Sequence, residues 1–189
     1  VNGAITASSA GALTVTDVAS GTNGNIVLST SSGDITGLAT VNAGSGNVTL
    51  NSAGAIVDDG SSATVITGGV LTADAAGAIT IDSTVTSANI STSAAGAVDL
   101  DETDGITLTD IDTTDGSITV DAGGLITATD VVAAGGSGDS VTLSTTTGGA
   151  VATLVTGADA VSITANAGDI TVGAITATAG TLGVTATAG

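Results

Sequence analysis

The apolar positions of this chain recur in one short phrase: a glycine, one residue, then an apolar–polar–apolar alternation. GALTV begins at Gly11, GNVTL at Gly46, GAITI at Gly77, GSITV at Gly116 and GDITV at Gly168, with GNIVL at Gly24 and GAVDL at Gly96 as variants. A period of two marks a strand with one inner and one outer face, and the leading glycine marks a turn.

Aligning the phrases divides the chain into about nine coils, starting near Asn2, Gly24, Gly46, Gly68, Ala88, Gly116, Asp139, Asp159 and Gly180. Most starts are 20–23 residues apart, with one long coil over 88–115. Each coil holds a second glycine eight or nine residues on: Gly11, Gly33, Gly54, Gly77, Gly96, Gly124, Gly148, Gly168 and Gly189. Two residues past the first corner stand Ile26, Val48, Val70, Ile90, Ile118, Val141, Val161 and Leu182. Two past the second stand Leu13, Ile35, Ile56, Ile79, Val98, Ile126 and Ile170. A third apolar set comprises Val18, Leu38, Val65, Val85, Ile106, Val131, Leu154 and Ile175.

Three short strands and two glycine corners per coil predict an all-β fold, a single-stranded parallel β-helix (β-solenoid) forming one repeat domain over 1–189. Glycine tolerates the φ > 0 of tight corners, and Val, Ile and Thr suit a pleated surface. One coil cannot bury its inner face alone, so its neighbours must supply the core. A β-sandwich fits less well, because such cores usually carry aromatics and do not repeat a two-glycine register.

Composition narrows the function. The 189 residues use ten amino-acid types, with no Lys, Arg, His, Cys, Met, Pro, Phe, Tyr or Trp, and 18 acids set the net charge at −18. The acids are interspersed among 42% apolar residues, which argues for folding over disorder. Without basic groups to neutralise phosphates or aromatics to stack on bases, nucleic acid is excluded as a partner. Membrane insertion is excluded too, because no apolar run reaches the ~18 residues of a span. With neither His nor Lys to activate a hydroxyl, the chain is expected not to be an enzyme. Val1 at the start and uncapped repeat sequence at both ends predict a segment of a longer rod, or a subunit that associates with itself end to end.

The runs GNVTLNSAGAI from Gly46, SVTLSTTTGGAV from Ser140 and GDITVGAITATAGTLGVTATAG from Gly168 resemble the repeat regions of filamentous-haemagglutinin-type exoproteins of the two-partner secretion class. The resemblance implies a right-handed coil and an extracellular or cell-surface bacterial location. It also implies a role as a stalk or adhesive fibre.

The candidate chemistry lies in the acids. Asp99, Asp101, Glu102, Asp104, Asp110, Asp112, Asp115 and Asp121 fall within 23 residues. Hard cations take several carboxylate oxygens, so Asp110-x-Asp112-x-x-Asp115-Gly116 is a candidate Ca2+ loop, one residue longer than the usual acidic spacing. Asp99, Asp101, Glu102 and Asp104 are further candidate metal ligands. Gly135-Gly136-Ser137-Gly138-Asp139 resembles one unit of a glycine-rich calcium repeat. Asn25, Asn47 and Asn89 are expected to stack as an amide ladder. The Thr-x-Thr pairs, such as Thr14 with Thr16 and Thr185 with Thr187, do not share one coil position and read as ordinary outward strand residues. Two functions follow: a structural fibre or stalk segment, or a calcium-dependent adhesive module for a glycan or host protein.

Overall fold

In the computed structural model, which describes residues 3–21, 23–61 and 66–187, nineteen strands and no helix form one continuous sheet. The strands pair in parallel from turn to turn, so the chain is a β-solenoid of about eight turns. Asn2, Val65 and Gly189 lie outside the described residues.

The first turns have three sides. β1 (Ile5–Ser9), β2 (Leu13–Thr14) and β3 (Val18–Ala19) lie beneath β4 (Ile26–Thr30), β5 (Ile35–Leu38) and β6 (Val41–Asn42). β7 (Val48–Ser52) and β8 (Ile56–Asp58) follow, then β9 (Ile66–Ala75), which joins the third side of one turn to the first side of the next. β10 (Ile79–Ala95) then runs through a whole turn without a loop.

From there each turn has two strands. They are β11 (Val98–Glu102), β12 (Ile106–Asp115), β13 (Ile118–Ala122), β14 (Ile126–Ala133), β15 (Val141–Thr145), β16 (Ala150–Gly157), β17 (Val161–Ala165), β18 (Ile170–Ala177) and β19 (Leu182–Ala186). Odd-numbered strands continue the second side. Even-numbered ones fuse the third and first sides, bending at two consecutive outward residues: Thr109–Asp110, Thr129–Asp130 and Thr153–Leu154.

Inward residues stack in columns. One column is Leu28, Leu50, Ala73, Ile90, Ile111, Val131, Val155 and Ile175; another is Ile35, Ile56, Ile79, Val98, Ile118, Val141, Val161 and Leu182. Most members are fully buried, and each aliphatic side chain removed from water contributes roughly 1.5–3 kcal/mol. The apolar part of the interior is made of small and branched aliphatics, which suits a narrow coil without aromatics.

The columns correct the coil boundaries read from the sequence. Val48 pairs with Leu71, not Val70, and Ile90 pairs with Ala73. Ile118, Val141, Val161 and Leu182 belong to the second side, above Ile79 and Val98. Ile126 and Ile170 lie on the fused side, in line with Ile106 and Ala150. Val18 pairs with Val41 rather than lining up with Leu38. Leu154 sits at a bend and is exposed while Val155 is buried. The long coil over 88–115 does not exist, so about eight turns replace nine coils. Both sides carry Ile or Val two residues after a glycine, and only stacking tells them apart.

Two devices form the corners. A Cβ on Gly96 would lie 2.4 Å from the carbonyl carbon of Gly77, so this corner admits only glycine at the observed backbone spacing. Just before the corner, a buried hydroxyl turns inward and donates to a carbonyl beyond it. Thr30 bonds the Gly33 carbonyl (2.7 Å), Ser52 that of Ala55 (2.8 Å) and Thr92 that of Gly96 (3.1 Å), and Thr113 does the same to Gly116. Each bond ties the strand end to the far side of the bend, and the Ala55 carbonyl accepts the Ile35 N–H as well.

Ser8, Ser29, Asn51, Asp74, Ser91, Asp112, Val132, Thr156 and Thr176 form one outward column. With adjacent turns about 4.8 Å apart, Ser8 and Thr176 are separated by roughly 38 Å along the rod. Spin labels on Ser8→Cys and Thr176→Cys, read by pulsed dipolar spectroscopy, are expected to give one distance distribution near that value.

Candidate functional site

The turn-to-turn register gathers acids that are far apart in sequence. Asp82, Asp101 and Asp121 are direct neighbours on successive turns, facing outward on the second side. Asp99 stands beside them, between Thr80 and Thr119. A shallow recess of about 280 Å3 is lined by Asp82, Asp101, Glu102, Thr103 and Asp121. On the fused side Asp110 and Asp112 project outward close to Asp130, and Ser91 Oγ donates to Asp74 Oδ1 at 2.6 Å. Twelve of the 18 acids lie between Asp58 and Asp121, so the middle turns carry a negative girdle.

Like charges at this spacing resist ionisation. Partial burial raises Asp82, with repulsion from Asp58 and Asp101 adding to it. Asp99 is raised by burial and then by Asp121 and Asp58; Asp101 by burial and then by Asp99 and Asp121. Interaction between the two facing carboxyls adds to the rise at Asp82 and partly offsets it at Asp101. Asp112 is raised by burial, then by Asp110 and Asp130.

Glu102 differs from the other candidate acids because it points into the rod and is 4% exposed. Ser83 Oγ donates to Glu102 Oε2 at 2.7 Å, and the Val85 N–H reaches Oε2 at 3.1 Å and Oε1 at 3.3 Å. Burial pushes its carboxyl up to about 7, against the pull of these bonds from Ser83 and Val85.

The predicted calcium loop is a strand. Asp110 and Asp112 lie within β12 and Asp115 ends it, an extended arrangement that does not wrap three carboxylates round one point. Asp99 and Asp101 face out from β11 while Glu102 faces in, and Asp104 sits in the corner beyond it. Among the described residues no group of three or more acids is placed to hold a metal ion. In the glycine-rich turn, Asp139 Oδ2 accepts the Gly136 N–H at 2.8 Å, which closes the turn locally.

The amide ladder is shorter than expected. Asn25 Oδ1 accepts the Asn47 N–H at 2.9 Å, and Asn47 Oδ1 accepts the Val70 N–H at 3.2 Å. Asn89 is not part of it, since it pairs with Thr72 and Asp110. Sequence reasoning missed Asp82 and Asp58, which lie outside the dense run but join its acids once the turns stack.

The chemistry open to this surface is proton sharing and attraction of cations. The chain contains no basic side chain to act as an electrophile or to activate a hydroxyl.

These shifts have one sign. A carboxyl whose folded value lies above its unfolded value favours the folded state while protonated. That stabilisation is complete below the unfolded range and is lost as pH rises through the folded value. For Glu102 the window runs from 4.5 to about 7, and the loss is roughly 3 kcal/mol. Denaturation midpoints are therefore expected to fall between pH 5 and pH 8, and Glu102→Gln to remove the largest single part of that slope.

Comparison with protein-family models, with curated proteins and with solved structures gives no match for this chain.

Proposed function

We propose that this chain is a non-catalytic structural segment, part of a stalk or fibre in an exported bacterial protein of the filamentous-haemagglutinin kind. The observation that carries the reading is the parallel register, which runs from Ile5 to Ala186 with aliphatic columns inside. Stability in such a stack comes from nearest-neighbour turns, so length can vary by whole turns while the cross-section persists. That property suits a spacer.

The surface supports the same role. Like charges facing each other cost energy when two rods approach side by side. The acidic girdle therefore opposes lateral clumping of a molecule rich in strands. The absence of Lys, Arg and aromatic residues removes the cleavage sites of trypsin-like and chymotrypsin-like proteases, which suits an extracellular setting.

The test is binding of the isolated chain to cells and to glycan arrays, in calcium and in chelator. A spacer shows no saturable binding, and calcium shifts its melting midpoint no more than sodium chloride of equal ionic strength. Saturable, calcium-dependent binding that disappears with Asp82→Asn, Asp101→Asn and Asp121→Asn would replace this reading with the adhesive module.

A further inference from the structure

Successive turns of a solenoid pair without interruption only when their paths have equal length. The turn from Leu71 to Ala88 takes 17 residues, whereas the next, from Ala88 to Leu108, takes 20. Two of the three extra residues are taken up between Thr92 and Val98, above Ala75 to Ile79, and the third leaves the ladder at the next corner. β10 passes straight through it as Ser83, Thr84 and Val85, while the turn above loops out over Thr103, Asp104 and Gly105. Pairing holds up to Ser83 with Glu102, where the Thr103 N–H donates to the Ser83 carbonyl at 3.0 Å, and resumes at Ser87 with Thr107.

Between those points Val85, 2% exposed, faces no backbone carbonyl of the turn above. Its N–H is received by the Glu102 carboxylate, which also takes the Ser83 hydroxyl. The Asp104 N–H approaches Oε1 at 3.5 Å from within the loop. A side chain thus stands in for the missing stretch of strand. Outside this corner lies a notch of about 380 Å3, with Gly68, Val85, Asp104 and Gly105 on its walls.

We propose that the Glu102–Gly105 corner is a latch, closed by the Glu102 carboxylate on Ser83 and Val85, and that it is the first internal part of the rod to open. Elsewhere a turn is held by both its ladder bonds and its aliphatic column. At this corner two of the inner positions are Ser83 and Glu102, so opening breaks a few hydrogen bonds and uncovers Val85 and Ile106 as its main apolar surface. This is the pattern of a low-stability local unit within a stable stack. For a rod under load or protease attack, the latch would yield while the flanking turns stay folded.

The composition supplies a direct assay, because Glu102 is the chain's single glutamate. A glutamyl endopeptidase, under conditions selective for Glu over Asp, can cut only after Glu102, and only when the corner is open. Cleavage of the folded chain is expected well below the denaturation midpoint, about 10-fold faster in Ser83→Ala, with denaturation otherwise little changed. Native-state hydrogen exchange supplies the second arm. Glu102→Leu should raise exchange at the Val85 amide at least about 10-fold and leave Leu28 and Ile163 unchanged, and Glu102→Gln should fall between the two. The proposal fails if cleavage tracks global unfolding, or if Val85 exchanges no faster than Leu28 and Ile163 in the unaltered chain. It also fails if Glu102→Leu leaves Val85 unaffected or accelerates all three amides together.

Discussion

The structure depends on the parallel hydrogen-bonded ladder between one turn and the next. It forces each turn to trace nearly the same path as the one below, because an unpaired buried N–H or C=O costs free energy comparable to a lost hydrogen bond. Columns of like residues follow from that constraint. Ile35, Ile56 and Ile79 line up because their backbones are paired, and they bury one another because they line up.

Where the path must deviate, the chain spends a side chain to close the ladder. Asn25 and Asn47 accept backbone N–H groups of the next turn at one corner, and Asp34 Oδ1 accepts the Ala55 N–H at another. Buried hydroxyls at Thr30, Ser52 and Thr92 take corner carbonyls. Glu102 is the extreme case, a carboxyl drawn into the interior because two turns of unequal length meet there. Its suppressed ionisation and its position at this corner have the same origin.

Much of this was legible beforehand. Alternation after glycine located most of the second-side strands, and the lack of aromatics and basic residues described both the narrow interior and the uniform sign of the surface. The hydroxyl clip also has a signature, Ser or Thr closing a strand three residues ahead of a glycine or alanine corner, as in Thr30-Ser31-Ser32-Gly33 and Thr113-Thr114-Asp115-Gly116. It was readable in principle, but it was masked by the abundance of Ser and Thr elsewhere.

The sequence by itself determined that the chain coils, which residue types face inward and how negative the surface is, since local propensity and period suffice for these. Register was decided only in three dimensions. Gly116 follows a strand much as Gly46 does, yet it stacks on Gly96 and belongs to a different side. Neighbours in a solenoid are about twenty residues apart, and a shift of a few residues at a single turn reassigns every contact beyond it. That shift moved Asp82, Asp101 and Asp121 into one ladder, put Asp110 and Asp112 in a strand and turned Glu102 inward. No local pattern could have announced those outcomes, because each depends on what lies one turn above and one turn below.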